Sequence, residues 1–239
     1  MRDLAKLYAV IDATWPAAEI RKVGQVTIRR GLGGGSRVSA ATAPGSLTPN
    51  ELANSEQAMR AWDQTPRFMI RFGNTALDTQ LAAAGYVPHD KTQIYLCPIT
   101  EIARERPPPV STFVTWPPLA VQQEIWAAGG IGPERIAIME RAKGQKATIL
   151  GRVDDRPAGT LYVACENDIA MVHAVEVLPE YRRRGLARYL MSAAGFWAID
   201  RGMTHLALLT TQANTAANPL YASLGMDVVG QYHYRKLPE

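Results

Sequence analysis

Two cysteines in 239 residues cannot build a disulfide framework, so stability has to come from a packed core. Both, Cys97 and Cys165, lie in apolar, strand-like stretches and read as reduced core residues. Histidine is nearly as scarce, with four in the chain. His89, His205 and His233 stand isolated, and no spacing suggests a metal site. No apolar run approaches the length that spans a bilayer. The first fifteen residues are interrupted by Asp3, Lys6 and Asp12, unlike the core of a signal peptide. The expectation is a soluble, cytoplasmic protein with no membrane partner. A dominant charge is lacking as well: 26 basic residues face 22 acidic ones, for a net charge of +4. Only Arg182–Arg184 is locally dense. This balance permits an anionic small ligand but does not call for nucleic acid, and aromatics do not interleave with the arginines as in a single-strand binder.

What is present is 47% hydrophobic residues against 20% charged, enough for a substantial core. The clearest break is "RERPPPV", Arg104 to Val110, whose three consecutive prolines form an extended spacer. It divides the chain into expected domains 1–105 and 106–239. In the second, "STFVTW" reads as a strand, followed by helices over Leu119–Ala128 and Pro133–Lys143. Three β-rich runs then follow ("KATILGRVD", "GTLYVACEND", "IAMVHAVEV"), separated by turn chemistry as in an antiparallel meander. A helix from Gly185 to about Arg201 repeats Leu186, Leu190, Ala193 and Trp197 on one face and stops at Gly202. "HLALLTT" is a continuous apolar strand, "TAANPLYASL" a short helix and "VVGQYHYRKL" a last strand. In the first domain, "QVTIRR" and "SRVSAATA" are expected to form a hairpin around "GLGGG". A helix over "PNELANSEQAMRAW", a strand "RFMIRF", a helix "TALDTQLAAA" and a strand "KTQIYLCPI" follow. The glycine-rich stretch matches no phosphate-loop fingerprint.

The two domains echo each other. "NTAANPLYASLGM" begins at Asn214 and "NTALDTQLAAAGY" at Asn74, with five identities in twelve positions and glycine eleven residues after the asparagine in both. Asparagine starts helices and glycine ends them, so punctuation alone explains part of the match. The shared order of elements points to an internal duplication. One difference is chemical: the later copy has Tyr221 where the earlier has Leu81.

Residues 175–190, "VEVLPEYRRRGLARYL", carry the strongest signal. An apolar strand ends, an arginine-rich loop follows, and a helix opens near Gly185. The first amides of a helix have no intrahelical acceptor and sit at its positive end, which suits an anion. Gly185 lets a bulky group approach the backbone, and Arg182, Arg183 and Arg184 offer forked hydrogen bonds. From these residues alone, a solvated basic turn is an equal alternative.

Arg182-x-x-Gly185-x-Ala187 after a V-x-P strand end resembles the acyl-CoA diphosphate loop of the GNAT family of N-acetyltransferases. Asn214, Ala217, Leu220 and Tyr221 resemble that family's second signature, with Met226 in place of its usual aromatic. The resemblance covers roughly residues 110–239. It implies an α+β fold with a mixed, mostly antiparallel central sheet flanked by helices, in two GNAT-like lobes, of which the first has lost its cofactor chemistry. It also implies acetyl-CoA as cosubstrate and no metal. The pantetheine arm would pair with the strand edge at Val175 and Val177. Backbone amides of the loop, through Leu186 and Ala187, would hold the diphosphate. Asn214 would contact the CoA arm, and Tyr221 would protonate the departing thiolate.

The acceptor implied is a primary amine on a small molecule or peptide, and something must take its proton. Glu176 is favoured by the resemblance as the catalytic base, with His173 the runner-up on its ordinary pKa. On an unbroken strand these two point to opposite faces, unless a bulge lies between them. Tyr162 and Glu166 are candidates for the acceptor groove. An acyl-CoA sensor without turnover is the rival reading. Acceptor identity and oligomeric state are open, a homodimer being one option.

Overall fold

The computed structural model describes residues 4–238. In chain order it contains α1 (Leu4–Thr14), β1 (Glu19–Val23), β2 (Val26–Arg30), α2 (Ser36–Ser39), α3 (Pro49–Arg60), β3 (Arg67–Arg71), α4 (Thr75–Ala83) and β4 (Val87–Pro98). After these come α5 (Ile99–Ile102), β5 (Thr112–Thr115), α6 (Ala120–Ala128), α7 (Pro133–Arg141), β6 (Lys146–Val153), β7 (Arg156–Glu166) and β8 (Ile169–Val177). A 3-10 turn at Pro179–Tyr181 leads to α8 (Leu186–Ile199), β9 (His205–Thr211), α9 (Ala217–Ser223) and β10 (Asp227–Lys236). Among the described residues no helix is long and apolar enough to cross a membrane.

The chain forms two compact units, and they are not the contiguous segments 1–105 and 106–239. The larger holds the residues up to Trp15, Ile94–Thr210 and Asn214–Val229; the smaller holds Pro16–Gln93, Thr211–Ala213 and the residues from Gly230 on. The reason is an exchange of strands. Both repeats run strand, helix, strand (β3-α4-β4 and β9-α9-β10), but in the smaller unit β3 pairs antiparallel with β10, Phe68 opposite Arg235. In the larger unit β9 is flanked by β4. Each repeat's penultimate strand is thus neighboured by the other repeat's last strand, and a boundary drawn at a proline linker misses it.

The larger unit carries a sheet of order β4-β9-β8-β7-β6-β5. The pairs from β5 to β8 are antiparallel, and β8 with β9 is parallel. Helix α8 covers one face. Its Leu186, Leu190, Ala193 and Trp197 are buried against Ile149, Leu161, Val163 and Val172, the stripe expected from their spacing. Cys97 and Cys165 are reduced thiols buried in the same core, and burial pushes the Cys165 thiol up to about 11. The opposite face packs α1 and α6 and is partly polar. There Gln122, fully buried, accepts from the Leu119 amide at 2.9 Å and donates to Thr160 at 3.0 Å. The hydroxyls of Thr115 and Thr148 also lie within hydrogen-bond reach of its carbonyl oxygen.

The smaller unit has its own core around Val26, Ile28, Phe68, Ile70, Leu77 and Leu81. The hairpin expected across "GLGGG" does not form. Strand β2 pairs with β1 instead, Val23 opposite Val26, around a tight turn at Gly24 with φ +58°. "SRVS" is a single helical turn after Gly35, whose carbonyl accepts from Ser39 Oγ at 2.9 Å. The second half of the expected hairpin survives only as single bridges, Thr27 with Thr42 and Ala41 with Phe68.

One hydrogen bond shapes the larger sheet. Between Thr160 opposite Glu176 and Tyr162 opposite His173, β7 supplies one residue where β8 supplies two. This is a bulge, with Ala174 at φ +51°. The indole of fully buried Trp126 donates to the Ala174 carbonyl at 2.7 Å. Trp126→Phe keeps most of the bulk and leaves that carbonyl without a donor, at an expected cost of about 1–3 kcal/mol. Urea unfolding of the two proteins measures it.

Candidate functional site

The bulge acts on β8 in two ways. A β-bulge bends and twists its strand, and the parallel ladder with β9 runs only from Ile169–His205 to Val172–Leu208. Residues 173–177 lie beyond its end, so the edge at Val175 and Val177 faces a gap between β8 and β9. The bulge also resets side-chain parity. His173 sits opposite Tyr162 and Glu176 opposite Thr160. These partners are two apart on β7, so His173 and Glu176 share a face.

They are held differently. His173 is buried and stacked on Trp15, ring centres 4.9 Å apart. Its Nε2 is 2.9 Å from Thr14 Oγ1. That hydroxyl donates its only proton to the Val10 carbonyl at 2.7 Å, so Nε2 must be the donor to Thr14. Glu176 has a side chain 16% exposed and pairs with Arg182 at 3.2 Å. Its carboxylate lies against Gly129, where a Cβ would come within 2.4 Å of Oε2. Tyr162 is fully buried among Trp15, Trp116 and His173.

After β8 the chain turns through Pro179–Tyr181, and the next amide with a backbone acceptor beyond Arg182 is that of Arg188, bonded to Gly185 O at 3.0 Å. The five intervening amides, Arg183 to Ala187, have no hydrogen-bond partner among the described residues, and no side chain caps α8. Arg183 at φ +64° and Gly185 at φ +82° are left-handed on either side of Arg184. Such alternation turns successive N–H groups toward one concave point and favours an anion there. A Cβ placed on Gly185 would meet nothing within 4 Å, so the loop's mouth is open.

The three arginines are not equivalent. Arg184 makes a two-pronged pair with Asp154 at 2.9 and 3.0 Å, and this bond holds the Asp154 carboxyl below its usual range. Arg182 is turned back on the strand, its Nε donating to Val177 O at 2.9 Å. Arg183 alone has no side-chain partner among the described residues. Leu186 is buried in the core, so only its amide faces the loop.

At the second signature, Asn214 Oδ1 accepts from the Ala217 amide at 3.1 Å and so helps start α9. Tyr221 is buried beside Tyr95, ring centres 5.6 Å apart. Burial, aided by Tyr95, pushes its hydroxyl up to about 12. That hydroxyl has no hydrogen-bond partner among the described residues.

The first repeat is built alike and closed. Tyr86 N donates to Leu81 O at 2.9 Å, as Met226 N does to Tyr221 O at 3.2 Å, after Gly85 and Gly225 at φ +86° and +79°. The start of α3, however, is sealed by its own Thr48–Glu51 capping box. Asn74 donates to Ala43 O at 2.8 Å, and Gln80 bonds both N and O of Leu47 at 2.7 and 2.6 Å. Protein groups already fill the positions that stay open in the second repeat.

Sequence reasoning missed Trp126, Gln122, Gly129 and the whole of α1. For α1 a signal existed: Leu7, Ile11 and Thr14 recur at helical spacing and are all buried. Trp126 and Gln122 lay inside a helix read only for its existence. Among the described residues no three His, Cys, Asp or Glu side chains converge as metal ligands.

Gly185 yields a direct check. Its left-handed backbone should make Gly185→Ala cost about 1–2 kcal/mol despite the open space. Asparagine, which tolerates that conformation, should cost clearly less in thermal melts.

Solved structures share this architecture at low identity. A GCN5-related N-acetyltransferase from Kribbella flavida matches with a TM-score of 0.74 at 17% identity, covering 100% of this chain and 97% of that one. A functionally unknown conserved protein from Staphylococcus epidermidis matches at 0.70 and 12%, covering 95% and 97%. A tandem GNAT protein from the clavulanic acid biosynthesis pathway matches at 0.59 and 13%, covering 82% and 74%. No curated protein matches the sequence. The Acetyltransferase (GNAT) family matches residues 102–226, which take in the bulged strand, the arginine loop and Tyr221. The chain belongs to the GNAT acetyltransferase family.

Proposed function

We propose that the protein is an acetyl-CoA-dependent N-acetyltransferase that acts on a primary amine of a small molecule or peptide by direct attack. The observation that carries this is the run of unpartnered amides, Arg183 to Ala187, at the end of a strand whose edge has left its neighbour. A helix start normally satisfies such donors with a cap, as α3 does with Thr48 and Glu51. Leaving them open suits a diphosphate, and Arg183 adds an uncommitted guanidinium.

Acetyl-CoA supplies the activated acyl group. The backbone of Val175 and Val177 offers an edge to the amides of its pantetheine arm, and the loop fixes its diphosphate. Asn214 retains an amide NH2 for the arm while its Oδ1 starts α9. Glu176 takes the proton of the attacking amine, directly or through water. His173 is less suited, since its Nε2 donates to Thr14. Tyr221 keeps its proton at neutral pH and directs a hydroxyl toward the departing sulfur. The burial that raises the phenol also disfavours a thiolate, so the two shift in the same direction.

In the smaller unit we assign no cofactor role. Leu81 has no proton to give, and Glu51, Asn74 and Gln80 occupy the matching positions. One observation favours the rival sensor reading: Glu176 is engaged by Arg182.

Calorimetric titration with acetyl-CoA, followed by an amine-acceptor screen for thiol release, separates the two. Tyr221→Phe should lower kcat by about 10²–10⁴-fold with little change in CoA affinity. Arg183→Glu should weaken CoA binding by tenfold or more, on the order of one charge-assisted contact. Undiminished binding by Arg183→Glu overturns the diphosphate assignment. Binding without turnover, and indifferent to Tyr221→Phe, identifies a sensor.

A further inference from the structure

We propose that Arg182 is a positioning residue that couples acyl-donor binding to release of the base, because one guanidinium is claimed by both. The inference rests on the acetyltransferase reading above and names a linkage inside that site. Arg182 Nε donates to the Val177 carbonyl at 2.9 Å, and its terminal nitrogen reaches Glu176 Oε1 at 3.2 Å. Both groups have other work in that reading. The carbonyl belongs to the strand edge offered to the pantetheine arm, and the carboxylate is the proton acceptor.

The two partners differ in freedom. Glu176 is confined: its side chain is 16% exposed, and Gly129 meets the carboxylate so closely that a Cβ there would overlap it. Arg182 has a side chain 57% exposed on an extended backbone of φ −65° and ψ 158°. It can therefore swing without moving the chain. Its residue directly precedes the unpartnered amides of Arg183–Ala187, so a diphosphate on those amides lies within its compass. An ion pair this exposed is screened and easily exchanged, whereas a diphosphate is a multiply charged, forked partner matched to a guanidinium.

Moving Arg182 onto the diphosphate frees the Val177 carbonyl and the Glu176 carboxylate in one step. Glu176 Oε1, no longer taken up by the guanidinium, is then open to accept from the amine. Proton removal from the amine is thus confined to the complex that already holds the acyl donor.

The test is a double-mutant cycle read by calorimetric titration with CoA, so binding is measured and turnover is not. Glu176→Gln removes the rival for Arg182 and should tighten CoA binding roughly two- to fivefold, the worth of an exposed ion pair. Arg182→Gln should weaken it. In the Arg182→Gln background, Glu176→Gln should change affinity by less than about 1.5-fold, since the coupled partner is gone. Glu176→Ala, which removes the carboxylate together with its bulk, should repeat the result if the glutamine variant folds poorly. Equal tightening in both backgrounds would reduce Glu176 to a nearby negative charge and overturn the linkage. Unchanged or weakened binding by Glu176→Gln and Glu176→Ala overturns it too. A wild-type protein that binds no CoA would instead overturn the acetyltransferase reading itself.

Discussion

The bond from the Trp126 indole to the Ala174 carbonyl is the constraint on which the site depends. A regular strand alternates its side chains and keeps both edges in their ladders. Holding Ala174 in a left-handed conformation breaks both rules at one residue. The edge of β8 leaves β9, and Glu176 comes to the same face as His173, Tyr162 and Thr160. The donor is a fully buried indole, so the bend is enforced by the core that α6 brings to the sheet. Gly129, just past the end of α6, then leaves room for the Glu176 carboxylate.

The two repeats show how one local plan yields different chemistry. Both short helices, α4 and α9, end in the same glycine geometry and return to the same carbonyl position. The contrast lies at the preceding helix starts. Thr48 and Glu51 satisfy α3 internally, while five open amides, one of them that of Gly185, lead into α8. A carboxylate at the third helical position is itself an anion at the positive end, so it competes for the place a diphosphate would take. A few side chains therefore separate a closed helix mouth from an open one on similar scaffolds.

Much of this was readable in the amino acids. The α8 stripe of Leu186, Leu190, Ala193 and Trp197 announced a helix packed on a sheet, and the β6–β8 runs announced a meander, because burial imposes periods that a sequence records. The "RRRGLA" junction was visible since helix starts and glycines have local rules. Less local features were hidden. "SRVS" gave no sign of being a helical turn rather than a strand, as four residues carry no period. The three arginines looked alike in the sequence, yet Arg184 is spent on Asp154 and Arg182 on Glu176 and Val177.

The sequence by itself determined that the β6–β8 runs become strands and that α8 becomes a helix, where the helix that carries the open amides begins, and that Tyr221 has a hydroxyl where Leu81 has none. These follow from side-chain chemistry and short-range spacing. The tertiary structure alone decided that β4 and β10 exchange places between the repeats, that the bulge falls at Ala174, and that Arg182 rather than Arg183 holds the Glu176 carboxylate. Each of these depends on contacts between residues far apart in the chain, such as Trp126 with Ala174 or Phe68 with Arg235. A backbone ladder accepts many partners, and only the competition among all packed elements selects one.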